Sequence, residues 1–361
     1  MKSPLARVIL LALADALPPT LCALAAMAAC AHSAGGTLPH ATPATAWPAL
    51  ALYLATNAAA GLYRGGSLQT TAIFSHVRDM RRLFATLTFA HAALAWLLWR
   101  QNQLHGPLAL LLPLCWLLSC LAAMPTRRLM RQLSGSTQRH LCPEDILRDV
   151  CQCPPQRGRH RRVLKTVLEG ILAILALLCC WPLLLLIAAA VKITSPGPVI
   201  YRARRLGKDG QPIRVWKFRT MYQHADERLH TVLAHNPALA DEWQRRQKLD
   251  HDPRVTPLGH FLRRSSLDEL PQLVNVLQGD MAVIGPRPIV DDEVARYGEF
   301  YPIFASVKPG ITGLWQVSGR NQLSYPTRVA LDVAYVNNWS IWLDLYILQK
   351  TALEILRGKG S

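Results

Sequence analysis

Five apolar runs constrain this sequence more than any motif in it, and four of them fall within the first 124 residues. A segment that crosses the hydrocarbon of a bilayer needs about 20 mostly apolar residues, with its main-chain polar groups bonded internally. The runs at 8–31, 47–63, 83–99 and 108–124 meet or approach that length. They predict a four-span helical bundle over residues 1–133. The first run follows basic residues, as a signal peptide would, but its length and the three similar runs after it favour a retained span. The connecting segments set the sides. Residues 32–46 and 101–107 contain no Lys or Arg, whereas 64–82 carries Arg64, Arg78, Arg81 and Arg82. Residues 127–139 carry Arg127, Arg128, Arg131 and Arg139. The positive-inside rule then places both ends of the bundle in the cytoplasm.

Charge supports this division. The 361 residues carry 40 Lys and Arg against 23 Asp and Glu, a formal +17, with only 17% charged. Soluble proteins average about 25%. An excess of that size first suggests nucleic acid or an anionic membrane. Residues 1–133 contribute ten basic residues and only Asp15 and Asp79, which is sparse basic punctuation of an apolar bundle. No helix-turn-helix pattern gathers the arginines of the remainder, so a DNA-binding regulator is the weakest reading. The nine cysteines all lie at or before Cys180, mostly in apolar runs, which argues against a disulfide framework. His140, Cys142, Cys151 and Cys153 match no standard zinc spacing and read as linker.

A polar linker at 134–160 leads to the fifth run, Val163 to Ile193, within a membrane segment at 161–195. Arg157, Arg159, Arg161 and Arg162 precede this run, and Lys192, Arg202, Arg204, Arg205 and Lys208 follow it. Basic clusters on both flanks conflict with a simple crossing, and Pro182 cannot complete a helical ladder. A helix that enters, breaks at Pro182 and returns to the same face satisfies both facts; a kinked fifth span is the alternative. Residues 196–361 then read as a small cytoplasmic α/β or α+β domain. Val199–Arg205 and Ile213–Thr220 alternate like strands about a Gly207-Lys208-Asp209-Gly210 turn. A charged helix is expected over 223–248, interrupted near Asn236-Pro237, and a shorter one from about Ser266. The tail Trp339–Leu356 puts Trp339, Trp342, Leu345, Tyr346, Leu353 and Leu356 on an apolar face, suited to a headgroup layer or to an ordinary core.

Chemistry concentrates in Arg263-Arg264-Ser265-Ser266-Leu267-Asp268-Glu269-Leu270-Pro271 and in Gly285-Pro286-Arg287-Pro288. An aspartate can attack a phosphoryl group, a neighbouring carboxylate can hold Mg²⁺, and arginines can clamp phosphoryl oxygens. The same residues also spell a capping box, Ser266-x-x-Glu269, ahead of a Leu270, Leu273, Val274, Leu277 stripe. A helix N-terminus would serve either reading, since it favours an ionised Asp268 and attracts phosphate. Lys217-Phe218-Arg219-Thr220-Met221 alternates basic and apolar residues on a strand. Gly310 to Arg320 reads as either a mobile cover or a turn between strands. No P-loop or dinucleotide fingerprint opens a helix.

These motifs, in this order, resemble the bacterial sugar transferase family, monotopic phosphoglycosyl transferases that start polysaccharide assembly on a polyprenyl phosphate. The resemblance covers residues 163–361 and continues through Gly279-Asp280-Met281, Lys308 to Arg320, Arg328, Asp332 and Tyr335-Val336-x-Asn338-Trp339. It implies that Asp268 attacks the β-phosphate of a UDP-sugar, releasing UMP, and that undecaprenyl phosphate then takes the sugar phosphate. It also implies Mg²⁺ on Glu269, phosphate contacts from Arg263 and Arg287, and further phosphate or nucleotide contacts from Lys217, Arg219 and Arg320. The setting implied is a multi-pass protein of the bacterial inner membrane, its catalytic domain cytoplasmic among membrane lipids, with no nucleic acid partner and a homodimer left open. Gly313 to Asn321 most resembles the galactose-1-phosphate transferases, with glucose or another hexose as the alternative. A non-catalytic membrane scaffold of the polysaccharide machinery is the competing class. Two departures stand out. The four spans resemble long-form members, yet 134–160 is too short for their nucleotide-binding-like middle domain. The Lys-Arg-x-x-Asp opening of the membrane helix appears as Lys165-Thr166-Val167-Leu168-Glu169.

Overall fold

A computed structural model describes residues 9, 11–17, 19–20, 42–60, 62, 72–100, 107–133, 143–144, 146–147, 159–223, 225–236 and 252–356. The chain divides into two units, Met1–His140 and Leu141–Ser361. Most of the 134–160 linker lies outside the described residues, as do His140, Cys142, Cys151 and Cys153.

The first unit holds helices α1 (Thr42–Ala59), α2 (Ala72–Arg100) and α3 (Pro107–Leu133), with helical residues 11–17 before them. Helix α2 packs against both α1 and α3. Tyr53, Leu87, Ala90 and Ala123 form the shared core, with Leu50, Leu54 and Cys120 against it. Phe84 meets Trp116 edge-on at 5.5 Å, and Trp116 Nε1 donates to Thr88 Oγ1 at 3.1 Å. Thr126 Oγ1 donates to Ala14 O at 3.2 Å, and Asn57 Nδ2 to Asp15 Oδ2 at 3.4 Å. Such bonds suit an apolar surrounding, where a polar side chain must be satisfied by protein.

The expected spans are met unevenly. Among the described residues, two helices are long and apolar enough to cross a membrane, Val77–Arg100 and Val163–Thr194. Within the second and fourth expected spans, Leu50–Ala59 and Leu111–Ala123 are shorter apolar stretches among the described residues, inside α1 and α3. Most of the first run lies outside the described residues.

The second unit opens with α4 (Arg159–Thr194), 36 residues that are helical throughout. Helical conformation continues through Pro182, so a change of direction there is a bend within one helix rather than a gap between two. Proline removes one N–H donor and strains one turn, about 3 kcal/mol, while the bonds on either side survive. The outward residues of α4 are bare: Leu178 is 65% exposed, Trp181 57% and Leu186 68%. An apolar belt of this kind marks a surface meant for lipid or for another chain.

Beyond α4, β1 (Ile200–Leu206) and β2 (Pro212–Phe218) pair antiparallel, from Ile200 opposite Phe218 to Leu206 opposite Pro212. Asp209, at φ 56°, and Gly210 turn the chain between them, as the turn residues predict. Helix α5 (Ala225–His235) occupies the start of the charged stretch, whose continuation at 237–251 lies outside the described residues. Then come α6 (Pro257–Ser265), a 3-10 turn at Leu267–Glu269 and α7 (Gln272–Gln278). Strands β3 (Ala282–Ile284) and β4 (Gly310–Thr312) pair in parallel. Two short helices, α8 (Val294–Tyr297) and α9 (Tyr301–Ala305), lie between them, and α10 (Tyr325–Asn337) and α11 (Ile341–Leu356) finish the unit. Among the described residues the unit is α+β, mostly helical with two two-stranded sheets.

One core joins α4 to the rest of this unit. Ile187 and Val191 of α4 pack with Phe218 of β2 and Leu262 of α6, flanked by Leu184, Leu258 and Leu267. Each large apolar side chain buried there contributes about 1.5–3 kcal/mol. The tail helix is offset from expectation. Leu343 and Ile347 of α11 are fully buried, while Ile341, Leu345, Leu353 and Ile355 are exposed. It carries a core face and a second, bare apolar face.

Candidate active site

Helix α6 has a start that its sequence spells plainly. Thr256 accepts from Gly259 N at 2.9 Å as its N-cap, and Pro257 occupies the first turn. It ends at Ser266, which adopts the left-handed conformation (φ 56°) and bonds back to Arg263 O. A left-handed residue cannot serve as an N-cap, so the Ser266–Glu269 capping box is not formed. Ser266 makes no capping side-chain bond, and α7 starts only after Pro271. The 3-10 turn between the helices is what presents Asp268 and Glu269. Leu267, packed on the Phe218–Leu262 core, fixes one side of that turn.

The two carboxylates sit in opposite electrostatic states. Asp268 is buried, 7% exposed. Burial, and next the charge of Glu269, push its carboxyl up to about 6, against the pull of Lys217 and Arg263. Glu269 is also held away from water, yet Arg287 and Lys217 outweigh burial and keep its carboxyl below the usual range. Lys217 Nζ donates to Glu269 Oε1 at 2.7 Å, and Arg287 Nη2 lies 3.6 Å from the same oxygen. The charge of Arg320 acts on Glu269 in the same direction. Arg320 itself has φ 51° and donates from Nε to Gln316 O at 3.2 Å.

Each cation arrives from a different element. Lys217 comes from β2 and Arg263 from the last turn of α6, where its Nε donates to Thr220 Oγ1 at 3.0 Å. Arg287 follows β3 on the Gly285–Pro288 loop. Where that loop leaves β3 at Gly285 it lies directly against Gly310, the first residue of β4: a Cβ on Gly310 would lie 2.0 Å from Gly285 N. A Cβ on Gly313 would lie 2.4 Å from Gly285 O. Leu314 and Trp315 are buried, so the Gly310–Arg320 segment is a packed strand and turn rather than a loose cover.

The structure thus gathers Asp268, Glu269, Lys217, Arg263, Arg287 and Arg320. Arg219 goes elsewhere. Its Nη2 donates to Ser195 O at 2.5 Å, at the end of α4, and burial pushes its guanidinium down. Pro182 lies on the exposed stretch of α4.

Several supporting residues carried signals that sequence reasoning passed over. Asp252 grips Arg254 in a two-bond pair at 2.8 and 2.7 Å. Burial works against the Asp252 charge, but Arg254, and then Arg263, hold its carboxyl below the usual range. Burial lowers Arg263, and Asp268 and Asp252 partly offset it. Asp252-Pro253-Arg254, two charges about a proline, was the available sign. Asn275, fully buried in the α7 stripe, accepts from Trp216 N at 2.9 Å and donates to Arg214 O at 2.8 Å. It pins β2, and with it Lys217, to α7. An asparagine inside an apolar stripe was the trace it left.

Four cations around two carboxylates leave a net charge of about +2 when Asp268 is ionised, a receptor for a phosphorylated anion. Among the described residues no three His, Cys, Asp or Glu come together as an all-protein metal cage. Sequence comparison agrees with the chemistry. Residues 160–358 match the profile of the bacterial sugar transferases, and the chain belongs to that family. It is 46% identical over 197 residues to an exopolysaccharide production protein, ExoY, of Sinorhizobium fredii, covering 55% of this chain and 87% of that one. It is 46% identical over 204 residues to an undecaprenyl-phosphate galactose phosphotransferase of Salmonella typhimurium, covering 56% of this chain and 42% of that one. It is 42% identical over 208 residues to a UDP-glucose:undecaprenyl-phosphate glucose-1-phosphate transferase of Escherichia coli, covering 55% and 42%.

Proposed function

We propose that this chain transfers a hexose-1-phosphate, galactose-1-phosphate first among the candidates, from a UDP-sugar to undecaprenyl phosphate at the bacterial inner membrane. The observation that carries this reading is the pairing of a buried Asp268 with a Glu269 already neutralised by Lys217 and Arg287. An Asp268 carboxylate oxygen attacks the β-phosphorus, and the bond from that phosphorus to the bridging oxygen breaks. UMP leaves with the electron pair, and the sugar phosphate stays on Asp268 as an acyl phosphate. An oxygen of undecaprenyl phosphate then attacks the same phosphorus, freeing the Asp268 carboxylate and forming the lipid diphosphosugar. Arg263 and Arg287 hold phosphoryl oxygens through both displacements, and Lys217 and Arg320 screen the departing UMP.

Mg²⁺ is commonly held by one or two carboxylates plus substrate phosphates rather than by an all-protein cage. Glu269 beside a nucleophilic Asp268 fits that donor set. Bound there, Mg²⁺ would neutralise the diphosphate and its leaving group.

Lipid-borne acceptor and soluble donor must meet at one surface. Two features of α4 support a helix that returns to the cytoplasmic face: stretches near both its ends pack on the rest of its own unit, and its middle is bare. Lys165 and Glu169 bond to α10, α11 and β3 near one end, and Ile187 and Val191 pack near the other. A bend at Pro182 within the continuous helix would accommodate this. Purified membranes given a panel of UDP-sugars with undecaprenyl phosphate should release UMP, with UDP-galactose the best donor, and lose that release with EDTA. No UMP from any donor would end the reading. A cysteine at position 194 should be labelled from the cytoplasmic side; periplasmic labelling would replace the return with a crossing.

A further inference from the structure

A second ionic cluster, apart from the carboxylate pair, ties the membrane helix to β3, the strand that leads into the Arg287 loop. Lys165 Nζ has three protons and three acceptors: Glu169 Oε1 at 2.7 Å, Asp344 Oδ2 at 2.8 Å and Tyr335 Oη at 3.0 Å. Trp339 Nε1 donates to Asp344 Oδ2 at 2.8 Å. The Tyr335 hydroxyl lies 2.8 Å from Asp344 Oδ1 and 3.0 Å from Ile284 O, so its proton serves one of them at a time. Glu169 Oε1 also accepts from Ile284 N at 3.0 Å.

Ile284 is the point of interest. It ends β3, and Gly285 N bonds across to Thr312 O on β4. The N–H and C=O of Ile284 itself bond to two side chains, Glu169 of the membrane helix and Tyr335 of α10. These side chains stand where a further strand would. Three residues later Arg287 reaches toward Glu269.

From this arrangement we infer that Glu169 is a positioning residue: by holding Ile284 it sets the Arg287 loop, so the membrane helix forms part of the catalytic scaffold. A change in how α4 sits in the membrane would then reach Arg287 through one carboxylate. Lys165 fixes the Glu169 rotamer, and a lysine with all three protons committed leaves it little freedom.

The inference rests on the phosphoglycosyl transfer proposed above, and a double-mutant cycle on the full chain in membranes separates the two. The wild type must first release UMP; if it does not, the reaction assignment fails and not this coupling. Given turnover, Glu169→Ala should lower kcat at least tenfold with the KM for the UDP-sugar changed less than threefold. Arg287→Ala combined with Glu169→Ala should be no worse than Arg287→Ala alone, because Glu169 acts through Arg287. Glu169→Gln, which keeps the shape and one acceptor for Ile284 N–H, should recover part of the loss, with equal protein in the membrane fraction. Losses that multiply in the double variant, or full activity of Glu169→Ala, would overturn the positioning role. A Glu169→Ala chain missing from the membrane leaves the decision to Glu169→Gln, whose loss must likewise vanish on the Arg287→Ala background.

Discussion

Two ionic clusters of the second unit use the same residue types to opposite ends. Around Lys165 the bonds close: three lysine protons meet three acceptors, and Glu169 and Asp344 each receive further donors. Around Asp268 they do not close. Lys217 and Arg287 both turn to Glu269, Asp268 is left buried with its carboxyl raised to about 6, and Arg263 is lowered by its own burial. A closed cluster builds a scaffold, because every charge is already answered. An open one holds unmet charge for a ligand to answer. A cationic surplus beside a buried carboxylate is therefore the better guide to the site than charge density alone.

The largest effect should come from breaking the open cluster at its centre. Asp268→Asn keeps the shape and removes the proposed nucleophile, so UMP release should fall about a thousandfold or more. The same change should stabilise the fold. The folded carboxyl titrates near 6 rather than at 3.8, so its contribution is full below 3.8 and is lost as pH rises through about 6. An amide has no such loss, and at pH 7.5 the variant should gain up to ~3 kcal/mol in detergent unfolding. Wild-type rate should move the other way with pH, rising through about 6 as the carboxylate forms. A variant that is both inactive and less stable would mean that Asp268 belongs to a closed cluster after all.

Legibility in the sequence follows the same contrast. Asp268, Glu269, Arg263 and Arg287 stood out because charged residues among prolines and glycines have few structural uses. The hairpin at 207–210 was equally readable, since its turn residues act locally. What escaped depended on distant partners. Ser266 reads as a helix cap until Pro271 moves the next helix start beyond it, and its left-handed backbone is invisible in a string of letters. Pro182 reads as a break, but a helix can lose one bond and continue. Arg219 follows the same strand as Lys217, yet the end of α4 claims it. Lys165 and Asp344 are 179 residues apart, so nothing local announces that they meet.

An intermediate effect should follow from opening the closed cluster. Lys165→Met removes the cation and leaves Glu169 and Asp344 with main-chain, hydroxyl and indole donors only. Deleting one member of a buried ion pair costs about 3–5 kcal/mol, because the remaining charge has lost its compensation. For a unit of this size that is on the order of 10 °C in Tm. The double change Lys165→Met with Glu169→Gln should be less damaging than Lys165→Met alone, since it removes one of the stranded carboxylates. If the two losses simply add, the cluster is not the coupled unit that its bonds describe.

The smallest effect is expected where an ion pair belongs to neither kind of cluster. Arg204 Nη2 and Asp291 Oδ2 are 4.0 Å apart, with side chains 74% and 65% exposed. At that exposure water screens the attraction, and ordering two long side chains offsets much of what remains, leaving about 0–1 kcal/mol. Arg204→Ala should therefore shift Tm by less than about 4 °C, and 0.5 M salt should erase even that. The side chain touches none of the cations that gather on Glu269, so UMP release should stay within twofold of wild type. A large loss of turnover with Tm unchanged would extend the open cluster outward along β1, making Arg204 an outer contact for an anionic substrate. A large loss of Tm would instead show that exposure is a poor guide to which ion pairs in this unit matter, and would weaken the contrast between its two buried clusters.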